Sequence, residues 1–211
     1  MKVYHGSKEI IKKPIAHGSK ETNDYGPAFY MTKDIEAAKE WACRNDQVGL
    51  VNIYGFDIRG LRVLDLRKEN PLVWISILMH FRNLEKSFLK AFGNRVEYLD
   101  NNYYIDVNQY DVIIGYRADD AYFRFPSDFV RGNITLEQLK KSFELGNLGV
   151  QIVIMSEKAI NRLHFIDAIV PENKYCGQYY STVQKATEEY DSLSKDEEGI
   201  RIFDIIRGND K

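Results

Sequence analysis

Seven short segments rich in valine, isoleucine, tyrosine and phenylalanine recur along the chain, separated by stretches that contain glycine, proline and polar residues. β-Branched and aromatic residues in short runs are typical of strands. These segments predict strands at 2–5, 29–32, 50–58, 61–65, 111–115, 151–155 and 165–170. We therefore expect a β-sheet at the centre of the protein.

Between the strands, apolar residues recur at helical spacing. The pattern predicts helices at 34–44, 72–91 and 135–145. Pro71 stands where a helix can begin, and the segment after it is apolar on all sides at first and amphipathic at its end. We expect 72–91 to form one central buried helix.

The order of strands and helices indicates the fold class. The two do not alternate regularly, and several strands lie too close together for right-handed crossovers, so an α+β fold is favoured over a doubly wound sheet. We expect one main domain at 1–180, because 211 residues can bury one sizeable core. The polar, acidic composition that follows predicts a charged helical tail at 181–211. Five apolar residues near the end of this tail are expected to dock on the core or on another protein: Ile200, Ile202, Phe203, Ile205 and Ile206.

Charge and cysteine content exclude several classes of protein. The 29 basic and 31 acidic residues are interspersed and give a net charge of -2, so no global basic field favours nucleic acid. The N-terminus lacks the pattern of a signal peptide, and the most apolar run, 72–81, is too short to span a bilayer. Cys43 and Cys176 form no CxxC or Cys/His cluster, which argues against a metal site or a disulfide framework. We expect a cytoplasmic protein without membrane association.

Three motifs that lie far apart in the chain carry the candidate chemistry. Residues 4–7 read Tyr-His-Gly-Ser, residues 28–32 read Ala-Phe-Tyr-Met-Thr, and residues 150–154 read Val-Gln-Ile-Val-Ile. Each is weak alone, because such short motifs occur in many unrelated proteins. Their order and their chemistry together favour a pocket for NAD.

In this order the motifs resemble the ADP-ribosyltransferases of the poly(ADP-ribose) polymerase and diphtheria-toxin branch, whose site is built from His, Tyr and Glu on three strands. The resemblance covers residues 3–170 and implies an ADP-ribosyltransferase-like split β-sheet with peripheral helices, and NAD as co-substrate. The chain also resembles a set of bacterial proteins that are expected to be ADP-ribosyltransferase-like and are suspected to be toxins. That set shares the His-Gly-Ser start, the Phe-Tyr-x-Thr strand, the Ala-Asp-Asp stretch and a glutamine strand.

The resemblance implies a role for each motif residue. His5 would bond an NAD ribose hydroxyl, the Gly6 backbone would hold the nicotinamide carboxamide, and Tyr30 and Trp41 would hold the nicotinamide ring between them. One polar contact of the polymerases is missing, unless Ser7 supplies it. The alternative is structural, since a histidine or an aromatic ring on a strand or helix commonly packs in a core.

The third motif departs from the family, because Gln151 stands where the family has glutamate. In the family reaction the bond to nicotinamide breaks through a positively charged, oxocarbenium-like ribose. A unit negative charge about 4 Å away is worth roughly 4 kcal/mol at an effective dielectric constant near 20, or about a thousandfold in rate. Gln151 keeps the ability to hydrogen-bond ribose hydroxyls and lacks the charge.

Three interpretations of Gln151 stay open. The pocket binds NAD but is slow or inactive, another acid substitutes for the glutamate, or the acceptor brings its own base. Asp119 and Asp120, which follow a predicted strand, are the candidate substitute acids, although they would serve equally well as the N-cap of a short helix. Arg82 and Arg117 offer guanidinium groups suited to pyrophosphate, with ordinary surface charges or ion pairs as the favoured interpretation.

The sequence thus predicts an NAD-dependent mono-ADP-ribosyltransferase for an unknown macromolecular acceptor, with a bacterial toxin or effector as one interpretation. The core triad would be His5, Tyr30 and Gln151, and 143–148 lies where related transferases carry an acceptor-recognition loop. Extension into polymers is disfavoured, because the family glutamate also activates the acceptor hydroxyl. A catalytically silent module that binds NAD, ADP-ribose or a protein is the alternative. A third interpretation is an interaction protein whose tail binds a neutralising partner.

Overall fold

A computed structural model describes residues 1–44, 48–118, 122–145, 149–193 and 198–208. These residues form seven strands: β1 (Lys2–Ser7), β2 (Phe29–Thr32), β3 (Leu50–Phe56), β4 (Val63–Asp65), β5 (Val112–Tyr116), β6 (Val150–Ile154) and β7 (Leu163–Ile169). They join in one sheet with the order β4-β5-β6-β2-β1-β3-β7. All seven predicted strands are confirmed, and their ends differ from the predicted ones by at most two residues.

The sheet is mostly antiparallel, with a parallel pair formed by β4 and β5. Parallel strands need a long crossover connection, and here α2 and α3, at 71–103, lie between them in the chain. Eight α-helices within the described residues complete the fold. They are α1 (Ile35–Ala42), α2 (Pro71–Phe81), α3 (Lys86–Tyr103), α4 (Arg124–Arg131), α5 (Leu136–Ser142), α6 (Glu157–Ile160), α7 (Gln178–Ser192) and α8 (Ile202–Ile206). The predicted α+β class is therefore confirmed.

The sheet is open between β1 and β2. β1 pairs with β3 along its whole length, from Lys2 to Ser7. Its pairing with β2 is limited, within the described residues, to Tyr4 opposite Thr32. Two neighbouring strands that hydrogen-bond at one point leave backbone groups unpaired, and these groups need other partners. Residues of β1 and β2 beside this opening line a cleft.

The predicted single helix at 72–91 is wrong, because the chain forms two helices there. α2 ends at Phe81, the backbone is extended at Arg82 (φ -71°, ψ 141°), and α3 begins at Lys86. α2 is buried on all sides from Leu72 to Met79, whereas α3 is amphipathic. The change from an apolar to an amphipathic pattern therefore marks a boundary between a core helix and a surface helix. Among the described residues, none of the helices combines the length and the apolar character needed to cross a membrane.

Helix α1 packs directly against β1. The Asp34 side chain caps the helix by accepting a hydrogen bond from Glu36 N at 2.8 Å. A Cβ atom on Gly6 would lie 2.6 Å from Ala38 O and 2.7 Å from Ala42 N, which is closer than real Cβ atoms approach backbone. Glycine at position 6 is therefore needed for the close approach of helix and strand.

The C-terminal segment packs on the main core. α7 begins at Gln178, so the predicted domain boundary at Tyr180 falls within its first turn. The Tyr190 hydroxyl donates to Asp128 Oδ2 at 3.0 Å. Four buried side chains from α7 and α8 belong to the same apolar cluster as α2: Ala186, Tyr190, Ile202 and Ile205. Four of the five tail residues that were expected to dock thus contact the core of this chain, namely Ile202, Phe203, Ile205 and Ile206, whereas Ile200 is 38% exposed.

Candidate functional site

The opening between β1 and β2 leads into a cleft with a volume of about 1160 Å³. Residues of β1, β2, α1 and β6 line it, together with the loop that joins β1 to β2. Six of the predicted site residues are brought together here: His5, Gly6, Ser7, Tyr30, Trp41 and Gln151. The other two, Asp119 and Asp120, lie outside the described residues, as do 146–148 of the predicted acceptor loop.

Strand register determines which side chains share a face. Tyr4 lies opposite Thr32, and Thr32 lies opposite Gln151, so these three side chains lie side by side across β1, β2 and β6. Tyr30, two residues before Thr32, shares that face. His5 follows Tyr4 and starts from the other face, where its ring centroid lies 4.5 Å from that of Phe29. The three predicted triad residues therefore reach the cleft from both faces of the sheet.

The His5 ring is held in one tautomer by β2. Its Nδ1 lies 2.6 Å from Tyr30 O, and because a carbonyl oxygen only accepts hydrogen bonds, Nδ1 carries the proton. Burial lowers the pKa of His5, and the bond to Tyr30 partly offsets this. The ring is therefore neutral at pH 7, and Nε2 is left as a hydrogen-bond acceptor. The same bond ties β1 to β2 where their ladder is open.

Tyr30 offers its ring to the cleft and its hydroxyl to the protein. The hydroxyl donates to Gly26 O at 2.7 Å and accepts from Tyr25 N at 3.1 Å. Burial raises the pKa of Tyr30, so this hydroxyl stays protonated at physiological pH. Gly26 has φ +77°, a left-handed conformation that favours glycine, and this turn holds the Tyr30 side chain in place. The ring is thus a fixed flat surface.

Gly6 and Ser7 lie in the cleft but have partners of their own. The space beside the Gly6 Cα is filled by the backbone of α1, so helix packing accounts for this glycine. The Ser7 hydroxyl donates to Glu9 O at 2.6 Å and accepts from Asn52 Nδ2 at 2.9 Å. Asn52 is fully buried in β3, and its Oδ1 accepts from Ile11 N at 2.8 Å. Asn52 therefore fixes the start of the loop that lines the cleft.

Trp41 lies against arginine side chains. The Cζ atoms of Arg117 and Arg44 are 4.2 Å and 4.6 Å from the centroid of the indole ring. Guanidinium groups are attracted to aromatic faces in this way. Trp41 therefore holds two cations at the cleft in this structure, whereas its predicted role was to stack on nicotinamide with Tyr30.

The charged residues in the described lining of the cleft are predominantly basic. Asp24 is its one acidic residue among those described. The basic residues are Lys8, Lys13, Lys20, Arg44, Arg82 and Arg117. An excess of cations in a concave site attracts anionic ligands, and the planar fork of arginine suits phosphate oxygens. In the described part of the chain, three or more His, Cys, Asp or Glu side chains never come together in a way that could hold a metal ion.

Asp24 and Arg82 form a buried ion pair beside Gln151. Asp24 Oδ1 lies 3.2 Å from Arg82 Nη2, and both side chains are largely buried. Asp24 Oδ2 accepts from Ala118 N at 2.9 Å and lies 3.5 Å from Gln151 Nε2. Arg82 also donates to Ala118 O. A carboxylate is therefore present next to the Gln151 amide.

Comparison with known proteins gives a family. A model of the family described as "Protein of unknown function (DUF3990)" matches residues 1–165 of this chain. The chain belongs to the DUF3990 family. Neither the curated proteins nor the solved structures contain a match to it. The DUF3990 match includes every predicted site residue and ends within β7, before α7 begins.

Sequence reasoning missed Asp24 and Asn52 in this DUF3990 protein. For Arg82 it favoured an ordinary surface charge or an ion pair, and the structure shows a buried ion pair with Asp24. The signal for Asn52 was a polar side chain within a strand rich in apolar residues. The signal for Arg82 was the change of pattern along 72–91, since the break between α2 and α3 frees this side chain to reach the cleft. Asp24 gave no such signal, because its partners come from three distant segments of the chain.

Proposed function

We propose that the cleft binds NAD and that the protein is an NAD-dependent mono-ADP-ribosyltransferase. One observation carries this proposal: His5, Tyr30 and Gln151, from three strands far apart in the chain, line a single cleft where the sheet opens between β1 and β2. The resemblance implies a split β-sheet, and the limited pairing of β1 with β2 supports that part of the proposal. We accordingly interpret the α+β architecture as ADP-ribosyltransferase-like.

The residues around Tyr30 suit the nicotinamide riboside half of NAD. Stacking of a flat base on an aromatic ring contributes roughly 1–3 kcal/mol in nucleic-acid sites, and nicotinamide is a ring of similar kind. Nε2 of the neutral His5 is a hydrogen-bond acceptor for a ribose hydroxyl. Oε1 of Gln151 is a second acceptor at the same cleft. Two fixed acceptors and a ring therefore match a sugar joined to a base.

The basic lining suits the pyrophosphate of NAD. Arg44 and Arg117 lie together against Trp41, and Arg82 is held by Asp24. Arginine pairs with phosphate oxygens through two parallel hydrogen bonds. Pockets of about 300–1,000 Å³ take a drug-sized ligand, so a cleft of about 1160 Å³ is large enough for a dinucleotide.

In the proposed reaction the bond between nicotinamide and ribose C1′ breaks, and its electron pair leaves with the nicotinamide. Positive charge develops on the ribose until an acceptor oxygen or nitrogen forms a bond to C1′ and loses its proton. His5 and Gln151 orient the ribose through its hydroxyls, and Tyr30 holds the departing ring. Holding the substrate in a reactive geometry supplies a large part of such a barrier reduction.

The amide at position 151 favours a second function, a catalytically silent module that binds NAD or ADP-ribose in the same cleft. A glutamine cannot supply the negative charge that is worth roughly 4 kcal/mol at about 4 Å. Binding needs the ring, the acceptors and the arginines, and these are all present. The two functions differ in turnover and share the site.

The proposed activity is tested by incubating the protein with NAD, with water as the acceptor, and measuring the released nicotinamide by chromatography. The wild type is expected to release nicotinamide, and Tyr30→Ala is expected to release it roughly five- to 150-fold more slowly, because 1–3 kcal/mol of stacking is lost. Tyr180→Ala is the matched control, since Tyr180 is half exposed and outside the cleft.

Each remaining outcome has a definite meaning. NAD binding by the wild type without nicotinamide release would favour the silent module. Equal release by Tyr30→Ala and Tyr180→Ala would contradict the placement of nicotinamide on the Tyr30 ring.

A further inference from the structure

The Asp24 carboxylate and the Gln151 amide meet within the cleft. Asp24 is 5% exposed, and its Oδ2 lies 3.5 Å from Gln151 Nε2. The carboxylate is itself fixed from two other directions, by Ala118 N at 2.9 Å and by Arg82 Nη2 at 3.2 Å. A side chain held by three partners is a rigid reference point for the amide beside it.

The carboxylate determines which end of the amide faces it. A glutamine carries a donor, Nε2, and an acceptor, Oε1, which exchange places if the amide turns over. An ionised carboxylate only accepts hydrogen bonds, so Nε2 faces Asp24 and Oε1 faces away from it. Arg82 Nη2 lies 3.2 Å from Asp24 Oδ1 and supplies the opposite charge of this ion pair.

The Gln151 Oε1 atom is left in need of a donor. It is buried, and across the described residues no hydrogen bond reaches it. Buried polar atoms are nearly always hydrogen-bonded, and one that stands beside a ligand cleft is a candidate contact for that ligand. An acceptor of this kind selects a hydroxyl or an N–H donor, and sugar hydroxyls supply such donors.

We propose that Asp24 is a positioning residue that fixes the Gln151 amide, so that Oε1 accepts a hydrogen bond from a hydroxyl of the nicotinamide ribose. The identity of the ligand rests on the proposed function. In this chain an acid–amide pair would thus take the place of the single glutamate of the ADP-ribosyltransferases that it resembles. Gln151→Glu alone would instead place two carboxylates about 3.5 Å apart, where like charges repel each other.

The test is calorimetric titration with NAD and with two analogues that lack the 2′- or the 3′-hydroxyl of the nicotinamide ribose. The wild type is expected to prefer NAD over at least one analogue by about three- to tenfold, the range for one net hydrogen bond. Asp24→Asn and Gln151→Met are expected to lose this preference. Asp57→Asn, which removes an exposed carboxylate away from the cleft, is the matched control and is expected to keep it.

The exchange variant, Asp24→Asn with Gln151→Glu, keeps one acid and one amide and is expected to recover the preference. Asp24→Asn and the exchange variant both remove the carboxylate that pairs with Arg82, whereas Gln151→Met keeps this ion pair and tests the inference if the other two variants fail to fold. A preference that persists in Asp24→Asn, or that is absent from the exchange variant, would overturn the inference. So would a wild type that binds NAD and both analogues equally. A wild type that binds no NAD would overturn the proposed function as well.

Discussion

Ile202→Ala is expected to lower the free energy of unfolding by about 2–5 kcal/mol, the usual range for truncation of a fully buried isoleucine. Ile202 is 0% exposed and packs in the same apolar cluster as α2. Urea denaturation of the purified protein measures the change. Ile166→Ala is the matched control, because Ile166 is 47% exposed on β7, and it is expected to change stability by less than about 1 kcal/mol. Equal losses in the two variants would contradict the placement of α8 in the core.

Removal of 181–211 extends the same expectation to the whole segment. Four buried side chains leave the core with it. Burial of a large apolar side chain such as Ile202 or Ile205 contributes roughly 1.5–3 kcal/mol. Together with the burial of Tyr190 and Ala186, this is comparable with a total stability of about 5–15 kcal/mol. The chain that ends at Tyr180 is therefore expected not to fold, as judged by the loss of a cooperative thermal transition in circular dichroism. A transition at the wild-type temperature would show that the segment is a separate tail.

Gly6→Ala is expected to lower the free energy of unfolding by about 1–3 kcal/mol, because the new Cβ would overlap backbone atoms of α1. Backbone cannot turn aside as a flexible side chain can, so helix and strand must separate. NAD affinity should fall as well, since α1 carries Trp41 into the cleft. Urea denaturation and NAD titration of the same sample measure both effects.

Gly93→Ala is the matched control for this substitution. Gly93 lies within α3, and a Cβ there meets nothing within 4 Å. It is expected to stabilise the protein by about 0.5–1 kcal/mol, because alanine is the better helix former. The two glycine substitutions are thus expected to change the free energy of unfolding in opposite directions. A Gly6→Ala variant as stable as Gly93→Ala would contradict the close packing of α1 on β1.

The strands were predictable because their signal is local. Runs of β-branched and aromatic residues predict a pleated, half-buried segment, and all seven such runs form strands. The break in 72–91 was not predicted, because apolar periodicity continues through Arg82 although the burial of the two halves differs. Burial depends on which other segments cover a helix, and the sequence does not state this directly.

The cleft was predictable in part. Motif order brought attention to His5, Tyr30 and Gln151, which the fold does place around one opening. The pairing of Asp24 with Gln151 joins residues 127 positions apart, so no local pattern contains it. The predicted role of Gly6 was to hold the nicotinamide carboxamide through its backbone. The structure shows a different reason for glycine at this position, which is the close packing of α1 on β1.

Calorimetric titration of NAD into the wild type, Tyr30→Phe and Tyr30→Ala tests the NAD cleft most directly. The Tyr30 hydroxyl is bonded within the protein, so the ring is the part left for the ligand. We expect the wild type and Tyr30→Phe to bind NAD with similar affinity, and Tyr30→Ala to bind it roughly five- to 150-fold more weakly. Equal affinities of Tyr30→Phe and Tyr30→Ala would contradict the stacking of nicotinamide on the Tyr30 ring, and absence of binding to the wild type would contradict an NAD site in this cleft.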